Sequence, residues 1–381
     1  MVEYNFPPRV GVGVIRAVKM AKYLPNYGWK PVVLSVKLSN GALGFKYLDA
    51  EGIPDLKVYY VRELVPLNRL VKRDIHLGWS PSAFLKGLKI IKNEQINAIY
   101  SSYPFAANML VASLLKRVTG IPLLVNYRDL WINSFFPPPP LEFSVQKIME
   151  NFVLKSSDAI VTVTPSHIGE LKRFFPFIKK VNVVRNGYDP ADFESAIPVK
   201  FSKFTILHAG DIVGTRVKRF IEFLYALREF RGTDDFQVVL LGRVSPKVRD
   251  FVSRLEINNI VKFEGRKPHR EAIRWILGAN VLLLVAAAEY IPTMKLYEYL
   301  ASGNFILNIG YEWGEAGKLI SKFRAGISVV PDKKEISKAI KDVVYGDLLE
   351  KWAGPDRKGI EELSWPKLAE KLASILNSIA R

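Results

Sequence analysis

At 381 residues, 49% of them apolar and 24% charged, the chain is longer than a single hydrophobic core usually grows, so two domains are expected. It has no cysteine and only four scattered histidines, which excludes disulfides, thiolate metal sites and a cysteine nucleophile and makes a structural zinc unexpected. The net charge of +18 is unevenly placed, since residues 1–190 hold 25 Lys and Arg against 13 Asp and Glu, and the remainder holds 30 against 24. Such a field favours an anionic partner: nucleic acid, an acidic membrane surface or a phosphorylated small molecule.

The N-terminal stretch MVEYNFPPRVGVG lacks the basic start and apolar run of a signal peptide, and the longest charge-free stretches are shorter than the roughly 18 residues of a membrane span. A cytoplasmic protein is expected. FPPRVGVGVIRAVKMAKYL reads as a short strand that turns through Gly11 and Gly13 into a helix. Glycine there allows backbone N–H groups to approach an anion at the helix N-terminus, although a plain turn explains the pattern equally well. PVVLSV (31–36), LKVYYV (56–61), AIYSSY (98–103), PLLVNY (122–127), AIVTVT (159–164) and KVNVVRNG (180–187) are the strands of the first half.

Residues 62–93 mix Arg69, Lys72, Arg73, Lys86, Lys89 and Lys92 with Leu67, Leu70, Val71, Trp79, Phe84, Leu85, Leu88 and Ile91. Lysines every three residues give a helix a basic stripe beside an apolar one, which suits a helix lying on anionic lipid with Trp79 at headgroup level. A core-packed helix with a wet basic face accounts for the same pattern.

Turn formers and Pro in residues 186–200 mark a domain boundary. Residues 1–190 are then one Rossmann-like domain, 191–365 a second Rossmann-like domain, and 366–381 a C-terminal helix packing back on the first. FTILHAG, FQVVLLG, IVKFEG, VLLLVAA, FILNIG and GISVVP are nearly continuous apolar runs separated by helical patterns. Such runs are strands covered on both faces. The fold class is therefore α/β, two doubly wound domains facing a central cleft, with ligands beyond the strand C-termini.

Two such ends stand out in the second half. After LHAG, Gly210 and Gly214 lead into a helix whose first turn carries Arg216, Lys218 and Arg219, cations that oppose the helix dipole unless an anion is placed there or they splay into solvent. After VLLLVAA, Thr293, Met294 and Lys295 open another helix, with Glu298 one turn on. Lys295 and the free N–H groups can hold an anion, and Glu298 can accept hydrogen bonds from a ribose diol. An i,i+3 ion pair between the two is the plain alternative.

FPPRVGVGVIRAVKMAKYLPNYGWKPVVLSV, SSYPFAANMLVASLLKRVTGIPLLVNYRDLW, VVRNGYD, HAGDIVGTRVKRFIEFLYAL, VVLLGR, IPTMKLYEYLASGNFILNIG and GEAGKLI resemble, in order and over nearly the whole chain, the signature segments of family 4 glycosyltransferases of the GT-B fold, most of all the surface-polysaccharide branch. The resemblance implies retaining transfer of a sugar from a nucleotide-sugar to a hydroxyl acceptor, lipid-linked or saccharide, with no metal and no cofactor. It makes Arg216 and Lys295 phosphate-binding, gives Glu298 the ribose, and sets Gly11 and Gly13 facing the donor phosphates. Asp129, after PLLVNY, is expected to orient the acceptor or the transferred sugar, with Arg128 supporting the leaving group; a buried structural Asp capping the following segment is the alternative.

Three positions depart from the pattern: Tyr290 replaces an acidic residue and has Glu289 beside it, Arg128 replaces a His, and Val12 interrupts the glycine loop. A catalytically silent relative, serving as partner subunit or nucleotide-sugar sensor, is the alternative these departures raise. An epimerase of the same fold would need more acidic and His groups. Nucleic acid is not an expected partner, because no known module's basic and aromatic interleaving occurs.

Overall fold

The computed structural model describes residues 1–9, 11–37, 53, 56–64, 76–133, 139–286 and 288–380. The chain divides into two compact units, one of Met1–Asn186 with Trp365–Arg381 and the other of Gly187–Ser364. Among the described residues no helix is long and apolar enough to cross a membrane.

The first unit contains α1 (Val12–Tyr23), β1 (Val32–Val36), β2 (Lys57–Val61), α2 (Ser80–Asn93), β3 (Ile99–Tyr103), α3 (Ala106–Thr119), β4 (Leu123–Tyr127), α4 (Pro140–Ser156), β5 (Ala159–Thr162), α5 (Ser166–Phe174) and β6 (Asn182–Val183). Its strands pair in parallel in the orders β1-β2 and β3-β4-β5-β6, and Val2 bridges the two sets by pairing with Leu34 and Ser101. Over residues 6–9 the strand expected at FPPRV does not form, and Val10 lies outside the described residues. Two prolines withhold two ladder donors, and the chain turns at residues 7–9, so Val2 takes a first strand's place.

Trp79 is also not where the lipid-facing reading put it. It is fully buried, its ring edge-on to Tyr4 at 5.5 Å, and Phe84, Leu88 and Ile91 of α2 pack on the same core. An amphipathic stripe shows that one face is apolar but not what covers it, and here the covering is protein. Lys89 and Lys92 are exposed with Leu85, while Lys86 lies 4.5 Å over the Tyr59 ring. Arg69, Lys72, Arg73, Leu67, Leu70 and Val71 fall outside the described residues.

The second unit runs β7 (Phe204–Ala209), α6 (Arg216–Leu227), β8 (Phe236–Leu241), α7 (Pro246–Arg254), β9 (Val261–Gly265), α8 (His269–Gly278), β10 (Val281–Val285), α9 (Met294–Ser302), β11 (Phe305–Ile309), α10 (Glu315–Lys322), β12 (Gly326–Val329), α11 (Lys333–Val344), α12 (Leu348–Lys351) and α13 (Arg357–Glu361). The sheet is six-stranded and parallel, ordered β12-β11-β10-β7-β8-β9, which is the doubly wound arrangement with its switch point between β7 and β10.

Successive side chains of a strand point to opposite faces, and the core obeys this strictly. In β10, Val281, Leu283 and Val285 join the cluster under α6, α7 and α11, whereas Leu282 and Leu284 join the one under α8, α9 and α10. Each fully buried Val or Leu here contributes roughly 1.5–3 kcal/mol, so the sheet is a rigid platform for the loops at its C-terminal edge. A last helix, α14 (Trp365–Ile379), returns to the first unit, where Trp29 Nε1 donates to Asn377 Oδ1 at 2.9 Å.

Candidate active site

In the second unit, β7 ends at His208 and Ala209, and Gly210 (φ 131°) turns the chain into the loop that opens α6. Its φ favours glycine, and a side chain there would meet Lys295 Nζ at 2.5 Å and Cε at 2.9 Å, so the lysine's end lies directly against this turn. Lys295, in the first turn of α9, lies across it. Its ammonium stands 3.1 Å from Nε2 of the fully buried His208, whose Nδ1 is 2.9 Å from the Leu283 carbonyl. Burial, with the charge of Lys295 beside it, holds His208 well below its ordinary range. The ring is therefore neutral, with Nδ1–H donating to the carbonyl and Nε2 accepting from the ammonium.

Burial first, and the charge of Arg216 second, lower Lys295 to about 7, against the pull of Glu298 and Asp211. Arg216, at the first position of α6, is likewise held down by burial and supported by Asp211. Burial pushes the Asp211 carboxyl up, but Arg266 and Arg243 overcome it and bring the group to about 2. Arg266 Nη2 lies 2.6 Å and Arg243 Nε 3.0 Å from its Oδ2. One carboxylate is thus divided among several cations. Neither Thr215 nor Thr293 caps its helix with its side chain, leaving backbone donors of α6 and α9 open. Arg216 Nε and Thr293 Oγ1 are buried with no hydrogen-bond partner. An unpartnered buried polar group costs about 1–3 kcal/mol, and an anion lying across both helix ends would relieve it.

The other first-turn cations of α6 differ. Lys218 is exposed, whereas Arg219 donates to the Ala286 carbonyl at 2.9 Å and pairs with Glu289 at 2.6 Å. Glu298 makes no ion pair with Lys295. It accepts from His269 Nε2 at 2.9 Å, and His269 Nδ1 is 4.0 Å from Asp192. Gly214 (φ 61°) lies between Gly210 and α6, and Met294 is the first residue of α9 beside Thr293.

In the first unit, Gly11 (φ 143°) is the N-cap of α1 and Gly13 lies inside its first turn. Arg128 Nη1 donates to the Gly13 carbonyl, tying the residue after β4 to that helix end. Glu3 is buried with Ser102 Oγ donating to its two oxygens at 2.7 and 2.8 Å. Burial raises Glu3 to about 7 against the pull of Ser102 and Arg128. Asp129 is exposed; desolvation by its surroundings raises its carboxyl and Arg128 opposes this. The Ile132 amide donates to the buried Glu150 at 3.1 Å and fixes the far end of the same loop.

The structure therefore brings Arg216, Lys295, Gly210 and Thr293 to one place, with Glu298 on the same helix. Gly13 and Arg128 meet in a second place, with Asp129 next along the chain. His208, His269 and Asp211 were not singled out from sequence, yet they orient Lys295, Glu298 and the Arg cluster. A histidine ending a wholly buried strand at a glycine turn was the available signal.

Residues 13–192 match the family model Glycosyltransferase Family 4. By sequence, no curated protein matches the chain. Among solved structures, a glycosyltransferase from Rickettsia africae is similar at 17% identity and TM-score 0.73, covering 99% of this chain and 97% of that one. Sucrose-phosphate synthase from Thermosynechococcus elongatus is similar at 17% identity and TM-score 0.71, covering 98% and 94%. HepE from Anabaena, solved in complex with UDP-glucose, is similar at 14% identity and TM-score 0.68, covering 99% and 98%. The parallel strand orders, the two Rossmann-like units and these matches agree: residues 13–192 match the Glycosyltransferase Family 4 model, and over its length the chain has the GT-B fold.

Proposed function

We propose that the protein transfers a sugar, with retention at the anomeric carbon and without a catalytic metal or other cofactor, from a nucleoside-diphosphate sugar to a hydroxyl of a saccharide or lipid-linked acceptor. The observation that carries this reading is the convergence of Arg216 and Lys295 at the N-termini of α6 and α9, with two buried polar atoms there lacking partners. As the glycosidic bond breaks, negative charge builds on the leaving diphosphate. Fixed cations and free helix N–H groups placed there in advance stabilise that charge. Glu298, held by His269, faces the ribose in this reading. Gly11 and Gly13 approach the phosphates, Asp129 orients the acceptor or the transferred sugar, and Arg128 supports the leaving group. HepE's complex with UDP-glucose supports a nucleotide-sugar donor. The acceptor reaction takes place at the inner face of the cell membrane, with Leu85, Lys89 and Lys92 the side chains of α2 open to anionic lipid.

A thermal-shift panel of UDP, GDP, ADP and their sugars tests the donor. A ligand at 100 times its dissociation constant stabilises by about 2.7 kcal/mol. Stabilisation by one nucleotide series, lost in Arg216→Ala, supports the reading, and the absence of any shift refutes it.

A further inference from the structure

Trp313 is 63% exposed, whereas the other six tryptophans are buried or half-buried. It stands on the turn after β11, and its indole stacks on Tyr311 with ring centroids 5.3 Å apart and planes 24° from parallel. The turn is tightly built. Gly314 N donates to the Tyr311 carbonyl at 3.1 Å, Glu315 N to the Glu289 carbonyl at 2.8 Å, and Tyr311 N reaches Glu289 Oε2 at 3.4 Å. A side chain on Gly314 would come 2.1 Å from Glu289 Oε2, and one on Gly317 would come 2.4 Å from the Tyr311 carbonyl. Glu289 also pairs with Arg219 on the first turn of α6. The aromatic pair is thereby tied, through one carboxylate, to the helix end that carries Arg216.

An exposed indole on a fixed backbone offers a flat apolar face at little loss of side-chain freedom on binding. The exposed carboxylate of Glu312, between the two aromatic residues, is an acceptor for hydroxyl groups. A hexopyranose has both halves of that chemistry, with axial C–H bonds giving a ring an apolar face and hydroxyls around its rim. A nucleotide phosphate has neither, and is drawn instead to the cations of α6 and α9. We propose that Tyr311 and Trp313 form a saccharide-binding platform beside the donor site, which stacks one pyranose ring of the donor or of the acceptor. The proposal rests on the reading of the second unit as the donor-binding one.

The test is ligand-observed NMR on the full chain with methyl glycosides of glucose, galactose, mannose and N-acetylglucosamine. Calorimetry with UDP, GDP, ADP and their sugars accompanies it, on wild type and Trp313→Ala. At least one glycoside should bind wild type, and the variant should bind it about tenfold more weakly, the effect of removing one stacking surface. Free-nucleotide affinity and melting temperature should stay unchanged. If the nucleotide-sugar loses affinity while the nucleotide keeps it, the ring belongs to the donor; if only the free glycoside is lost, it belongs to the acceptor. Glycoside binding that is absent, or equal in the two proteins, overturns the platform. Failure of every nucleotide to bind instead overturns the donor reading, which the glycoside measurement leaves untouched.

Discussion

The ammonium of Lys295 lies 3.1 Å from Nε2 of His208, and the imidazole's other nitrogen is committed to the Leu283 carbonyl at 2.9 Å. The pair fixes the lysine's direction without neutralising it. Lysine is ordinarily protonated up to 10.5, but here burial brings it to about 7. Between those values the folded chain binds fewer protons than the unfolded one, so on this account stability rises with pH through that window. A diphosphate beside the ammonium restores the charge. UDP, or whichever nucleoside diphosphate the panel identifies, should therefore take up protons on binding at pH 8 and take up fewer at pH 6, where the lysine is already charged. Calorimetry in buffers of different ionisation enthalpy reads this directly, and a heat independent of buffer at pH 8 contradicts it.

Arg216→Ala and Lys295→Ala should each lower turnover by about a hundredfold or more, since removing one group that stabilises developing charge costs roughly 3 kcal/mol at the transition state. Neither should impair folding, because each removes a cation that burial disfavours. Turnover with the true donor that is unchanged in both variants removes the phosphate assignment.

Glu298 and His269 are joined by one hydrogen bond of 2.9 Å, and the proposed ribose contact rests on it. Glu298→Gln should raise KM for the donor about tenfold or more, as a hydrogen bond to a charged group is worth roughly 1.5–3 kcal/mol. His269→Ala should act in the same direction by releasing the carboxylate. A fall in kcat with KM unchanged, in either variant, means that the pair acts on the chemical step and not on binding.

Asp129 is exposed at the end of β4, so Asp129→Asn should leave the melting temperature unchanged. Turnover should fall while nucleotide affinity is spared. Parallel loss of melting temperature and activity points to a structural role for the carboxylate.

With Trp79 in the core, the proposed membrane attachment rests on the exposed Lys89, Lys92 and Leu85 of α2. Each basic side chain near an anionic surface contributes about 1 kcal/mol, so Lys89→Glu with Lys92→Glu should release the protein from anionic vesicles in flotation at low salt. Wild type that stays in solution with such vesicles ends the proposal.

What could be read from the sequence followed physical rules with short reach. The inner strands of the second unit were legible because a strand covered on both faces must be apolar throughout, and VLLLV or FILNI admits little else, whereas the edge strand VKFEG is covered only on alternate residues. Arg216, Lys295 and Glu298 were legible because a strand end followed by a helix start places them locally. The ties at 208 and 269 were not. Lys295 meets His208 across 87 positions, and Glu298 meets His269 across 29, so neither pair leaves a local pattern. FPPRV was misread because an apolar stretch suggested a strand where its prolines cannot supply ladder donors. Trp79 was misread because periodicity finds a helix's apolar face without naming its neighbour.

The helix α14 has a consequence for how the molecule is made. The second unit is one uninterrupted length of chain, Gly187–Ser364, set between two pieces of the first. A ribosome delivers all of it before it delivers Trp365, Leu368, Ala369, Leu372, Ala373 and Leu376, the residues α14 buries. Until then Met1–Asn186 lacks its final helix and the indole against which Arg16 lies at 5.9 Å. The unit that is begun first is thus the one finished last, and a nascent chain stalled before residue 365 carries a complete second unit and a first unit still without its final helix.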